Sequence, residues 1–189
     1  MLLGTTIAIA AGLNPYVAAL IVAALAGLAT RVQMTGPFAS VDPTVWRTVI
    51  AVAAVLAAID LTVGKLRHRF VKMRLANMVV AVLAGASGAV IGVGDSYEPL
   101  IAAPTGAICA AAVSFAVTRV ARNAMEAGAW LRLGHIPVMM AATVVAAIVV
   151  PLTLTFGWPG TVLAGAVAIG FVTAAARVKQ LPKAAGTVG

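Results

Sequence analysis

Six apolar stretches follow one another along the chain, separated by charges, prolines and glycines. They cover about residues 2–30, 45–64, 76–93, 99–118, 136–156 and 160–176. None alternates between apolar and polar positions in segments of about ten residues, as a membrane barrel would. Continuous apolar character on every face instead predicts helices immersed in hydrocarbon and packed on one another, because a helix satisfies its own backbone there. The expected fold is all-α: an integral membrane bundle of about six transmembrane helices, forming one domain over residues 1–178, with a short tail at 179–189.

The first stretch is irregular. From Leu2 to Thr30 it is longer than one crossing needs: about 43 Å of helix at 1.5 Å per residue, against a hydrocarbon core of about 30 Å. Gly12-Leu13-Asn14-Pro15-Tyr16 interrupts it. Proline removes a backbone donor and clashes with the preceding turn, and the residue before it avoids the helical region. The segment is either one kinked, tilted span or two half-helices meeting at membrane depth. The apolar start at Met1–Ala11 has no basic stretch before it, which argues against a cleaved signal peptide and makes it the start of the first membrane segment.

Composition agrees with the pattern. Of the 189 residues 62% are hydrophobic and only 10% are charged, whereas a soluble domain carries about 25% charged residues. The net charge of +8 would in a soluble chain point to nucleic acid. Here aromatic residues are 5%, too few for a stacking platform. The bases also have a positional logic. Eleven of the thirteen lie between the second and third stretches (Lys65, Arg67, Arg69, Lys72, Arg74), between the fourth and fifth (Arg119, Arg122, Arg132), or after the sixth (Arg177, Lys179, Lys183). The intervening connections hold the acids Asp42, Asp95 and Glu98 and only Arg31 and Arg47. The positive-inside rule then places the basic connections in the cytoplasm. With six spans, both termini face the cytoplasm, and the protein lies in the cell membrane.

Few residues carry candidate chemistry. Asp60, inside the second stretch, is costly at membrane depth, and such residues face the bundle interior, an ion path or a pairing partner. Lys65, a turn or so later, is its expected counter-charge. Asn14, Pro15 and Tyr16 form the polar break. Pro104-Thr105-Gly106 faintly echoes that break in the second half, an arrangement that points to inverted repeats and a transporter-type site. Gly88 and Gly92, and likewise Gly165 and Gly170, read as close-packing positions between helices. Cys109 is the single cysteine, so no internal disulfide forms, and no Cys/His cluster suggests a metal. His68 and His135 lie in separate basic connections, and no nucleophile–base set appears. Neither an enzyme nor a cofactor is expected.

Ala11-Gly12-Leu13-Asn14-Pro15-Tyr16 resembles the first-span signature of an uncharacterised bacterial membrane-protein family, domain of unknown function 4126. The resemblance covers about residues 5–155. In that family the second span ends with a Glu followed by an Asp-Lys-Ile-Pro run. Asp60 stands at the Glu and Lys65 at the Lys, while Gly64 replaces the Asp and Leu66-Arg67 replace Ile-Pro. The resemblance implies a multi-pass helical protein and no established activity.

Two functions follow. One is a small transporter or channel-like protein for a small solute or ion, with a site drawn from Asn14, Pro15, Tyr16, Asp60, Lys65 and Thr105. The other is a non-transporting membrane component that binds a partner protein or anionic lipid through Lys65, Arg67, Arg69, Lys72 and Arg74, each base near an anionic surface contributing about 1 kcal/mol. The lipid bilayer is the expected environment, self-association into a homo-oligomer is a further partner reading, and nucleic acid is excluded.

Overall fold

A computed structural model of the chain describes residues 2–28, 42–65, 74–93, 99–127 and 135–177. Among these only Asn14, Asp42 and Gly157 lie outside helices. Seven α-helices follow in order: α1 (Leu2–Leu13), α2 (Pro15–Leu28), α3 (Pro43–Ile59), α4 (Arg74–Val93), α5 (Pro99–Ala127), α6 (His135–Phe156) and α7 (Trp158–Arg177). A π-helical segment, Asp60–Lys65, extends α3. Among the described residues four helices are long and apolar enough to cross a membrane, namely α3, α5, α6 and α7, while α1, α2 and α4 contain shorter apolar runs. The structure is thus a helical bundle suited to a bilayer, with four such helices rather than the six expected.

Local sequence explains where the helices stop. Asp42 caps α3: its carboxylate accepts the Thr44 N–H at 2.7 Å, and Pro43 occupies the first turn, where its missing N–H is not needed. Between α6 and α7 the chain reverses over the single residue Gly157. Its φ of 71° is left-handed and favours glycine, and its N–H returns to the Thr153 carbonyl at 2.8 Å. Helix α5 continues through Arg119, Arg122 and Glu126, which the hydropathy pattern assigns to a connection. It also runs unbroken through Pro104. The Pro104 region therefore has no counterpart of the Asn14 break, and the two halves differ at this point.

Side-chain contacts fix the helix directions. Thr6 of α1 bonds Thr161 at the start of α7 at 3.0 Å and Thr153 near the end of α6 at 3.1 Å. Asn14, at the other end of α1, bonds Thr143, nearly three turns earlier in α6, at 3.0 Å. Helix α1 therefore runs antiparallel to α6. The same holds against α4, because Ile7 packs on Gly88 while Leu13 and Asn14 share a cavity with Asn77. Helix α2 then turns back. Pro15 shares that cavity with Asp60, just beyond the end of α3, whereas Val22 and Ala23 share a groove with Trp46 and Val49 near the start of α3.

Helices α1 and α2 thus form a V with Asn14 at its apex. Of the two readings open for the first stretch, the half-helices describe it, with 12 and 14 residues in the two arms. This changes the expected placement of the ends. The start of α1 lies beside the start of α7, and Arg177 closes that 20-residue helix about 30 Å away. Leu2 and Arg177 therefore sit at opposite ends of the bundle, not on one side.

The core surrounds α1. Residues Ile7–Leu13 are buried almost throughout and pack with Ala110, Val113, Ala146, Val149 and Ala164 of α5, α6 and α7. A helix apolar on all faces belongs inside such a bundle. Alanine and glycine permit close approach. A Cβ on Gly12 would stand 2.6 Å from the Val113 Cβ, and one on Gly85 would stand 2.8 Å from the Gly106 carbonyl oxygen. Gly88 is filled by Ile7 in the same way. Gly165 and Gly170 are different: among the described residues nothing lies within 4 Å of a Cβ built on either, so they are not packing positions against those residues. The surroundings of Gly92 lie outside the described side chains.

Candidate polar intramembrane site

The V brings its apex against the end of α3. Asn14 is 1% exposed, so the one non-helical residue between α1 and α2 is enclosed by protein. That enclosure is the condition under which irregular backbone is tolerated at membrane depth. Asn14 serves both arms. Its N–H closes the last turn of α1 on the Ala10 carbonyl at 2.8 Å, and its carbonyl accepts the Ala18 N–H at 3.0 Å. Its side-chain oxygen accepts the Val17 N–H at 3.3 Å, the position an N-cap satisfies, with Pro15 next in line. The amide NH2 donates to Thr143, whose hydroxyl donates in turn to the Met139 carbonyl at 2.8 Å.

Asp60 enters from α3, where the helix widens into its π-helical continuation. Such segments recur at functional positions. The side chain is 3% exposed although it is a carboxylate. Asp60 lies about 25 Å along α3 from Pro43, towards the far side of a hydrocarbon core of about 30 Å. Around it a cavity of about 30 Å³ is lined by Gly12, Leu13, Asn14, Pro15, Asn77, Ser114, Val117, Thr118 and Met139. Tyr16 joins this group through its hydroxyl, which donates to the Asn77 side-chain oxygen at 2.9 Å. A cavity needs about 10–15 Å³ to hold one water, so this space admits one or two water-sized guests.

Of the residues singled out from sequence, Asn14, Pro15 and Asp60 meet at one cavity, and Tyr16 is tied to its wall. Thr105 does not take part: it is exposed on α5, and its hydroxyl returns to the Ile101 carbonyl of its own helix at 2.7 Å. Lys65 ends the π-helical segment, but its side chain lies outside the described residues, as does that of Arg74. Arg67, Arg69 and Lys72 lie outside them entirely. Sequence reasoning missed Asn77, Ser114, Thr118 and Thr143. Each is a polar residue in an otherwise apolar run, on the half of its helix nearer a basic connection. That common location was the available signal.

A second polar cluster ties the other end of the bundle. Thr6 is fully buried between Thr153 and Thr161, and Thr153 also donates to the Val149 carbonyl at 2.8 Å. No charged residue belongs to these bonds. They hold α1, α6 and α7 together, whereas the Asp60 cavity combines a carboxylate with free volume.

No protein-family model, curated protein or solved structure matches the chain. What the fold itself carries is a class: an all-α bundle with helices long and apolar enough to cross a membrane.

Proposed function

We propose that this is a small ion-translocating membrane protein, transporter or channel-like, whose site is the cavity between the V apex and Asp60. One observation carries the reading. A buried carboxylate, Asp60, lines a polar cavity together with the apex of two half-helices, inside an apolar bundle. Ionisable side chains inside membrane bundles mark ion or proton paths. Discontinuous helices meeting at membrane depth place both helix ends and free carbonyls at such sites.

The same reading assigns sidedness. The connections after α3, after α5 and after α7 leave from the Asp60 end, and these connections together with the helix ends that flank them carry eleven of the thirteen bases. The positive-inside rule makes that end cytoplasmic. Helices α3 to α7 then cross the cell membrane five times, and α1 and α2 enter from the outer side and return to it. The start of α1 is external and residues after Arg177 are cytoplasmic. We further propose membership in the family that the Ala11–Tyr16 segment resembles, since the shared residues are those that build the apex.

The test is flux in reconstituted vesicles. Wild-type protein is expected to carry a proton or cation current that Asp60→Asn abolishes and Asn14→Ala reduces. Equal flux in wild type and Asp60→Asn would remove the site from the function.

A further inference from the structure

The part of the bundle away from Asp60 carries a groove that the transport reading does not use. It measures about 270 Å³ and lies between the start of α3 and one face of α4, over a floor formed by α2 and by Ile7 of α1. Helix α3 rests mainly on α2, while α4 packs on α1 and α5, and the slot lies between these two packings. On α4 the positions Val80, Leu83, Ala84, Ser87 and Ile91 recur every three or four residues and form one wall. From Val80 to Ile91 that wall is about 16 Å long at 1.5 Å per residue. Trp46 and Val49 of α3 form the other wall. The described lining is thus built almost wholly of hydrocarbon, with the Ser87 hydroxyl and the Trp46 indole as its polar groups.

We propose that this groove binds one acyl chain of a membrane lipid, from the leaflet opposite the Asp60 end. The groove is continuous with the surface that the bundle turns to the bilayer. Val49 and Leu83 line it and also belong to the exposed apolar faces of α3 and α4. A chain therefore enters sideways from the hydrocarbon without crossing water. The dimensions select its shape. Pockets for organic ligands hold about 300–1,000 Å³, and a volume just below that range, drawn out over about 16 Å, suits a thin chain rather than a compact ring system. One leaflet contributes half of a hydrocarbon core of about 30 Å, so the slot and an acyl chain match in length. A chain in the slot makes dispersion contacts with both walls, whereas water there meets few hydrogen-bonding partners. It also joins α3 to α4 through its own contacts.

The experiment is quenching of Trp46 fluorescence by phosphatidylcholine with brominated acyl chains, added to the full chain in detergent micelles. Trp130→Phe with Trp158→Phe leaves Trp46 as the single tryptophan. Trp46→Phe with Trp130→Phe leaves Trp158, which is exposed at the start of α7 and reports bulk lipid. Quenching of Trp46 is expected to saturate at one lipid per chain while that of Trp158 still rises in proportion to lipid. Ala84→Phe on the wall and Ser87→Phe at the mouth fill the slot and are expected to remove the saturable phase, with helical spectrum and gel-filtration profile unchanged. Val144→Phe, exposed on α6, is expected to leave it intact. Proportional quenching of Trp46 in the folded protein, or a saturable phase that survives both Ala84→Phe and Ser87→Phe, would overturn the proposal. A dimer that these two substitutions dissociate would assign the groove to a second copy of the chain and overturn it equally. None of these outcomes depends on ion flux.

Discussion

Replacing Asn14 by alanine tests the apex most closely. The substitution removes two interactions. Loss of the cap on the Val17 N–H costs about 1 kcal/mol, within a range of about 0.5–2 for N-caps. Loss of the bond to Thr143 adds about 0.6 kcal/mol, the average for side-chain hydrogen bonds inside a membrane bundle. Together they predict destabilisation of about 1.6 kcal/mol, or about fifteen-fold in the folding equilibrium. Asn14→Ser separates the contributions, because serine caps as well as asparagine but is too short to reach Thr143. It should lose only about 0.6 kcal/mol. Thr143→Val should lose a similar amount, and the double variant with Asn14→Ala should show a coupling of about the same size. Equilibrium unfolding in mixed detergent, monitored by helicity, reads all four. If Asn14→Ala lies within about 0.3 kcal/mol of wild type, or serine is as harmful as alanine, the cap at the apex is not what holds the V.

Other expectations are independent of the apex. Gly85→Ala forces a methyl against the Gly106 backbone and should destabilise by about 1–3 kcal/mol, while Gly165→Ala, which meets open space, should be neutral or better in the same unfolding assay. Reporter tags placed before Leu2 and after Arg177 should be accessible from opposite faces of a sealed vesicle; accessibility from one face would contradict the described direction of α1. The Thr44 hydrogen bonds, chiefly from the backbone N–H, hold the Asp42 carboxyl below the usual carboxylate range. Its folded pKa is depressed, so the cap is intact above the ordinary carboxylate value and is lost as pH falls through the folded value. Hydrogen exchange at the Thr44 amide should accelerate only in that acidic window, and Asp42→Ala should show fast exchange at every pH.

The bundle was legible in the sequence because its cause is local. Apolar runs such as 136–156 and 160–176 lie within two residues of α6 and α7, since length and hydropathy alone define them. The charge pattern also matches the fold: the basic connections all leave from the Asp60 end. The direction of α1 was not legible. Both a kink and a reversal at Asn14-Pro15 satisfy the local chemistry, and only contacts distant in sequence, Thr6 with Thr161 and Asn14 with Thr143, distinguish them. Taking the first stretch as one crossing places Leu2 and Arg177 at the same end of the bundle, whereas the contacts place them at opposite ends. The site followed the same division. Asp60 and Asn14 stand out singly because each is an unusual residue at membrane depth. Asn77, Ser114 and Thr118 are ordinary polar residues until antiparallel packing brings them to the same level. Thr105 echoes the break in sequence, yet α5 stays helical there, and its hydroxyl donates to its own backbone.

The central claim is that an ion passes through the cavity between Asn14 and Asp60. Current across a supported membrane carrying oriented wild-type protein, triggered by jumps in sodium or pH, measures this directly. The account predicts a transient or steady current in the wild type and none in folded Asp60→Asn. A current unchanged by Asp60→Asn, or no current from folded wild type with either ion, would contradict it.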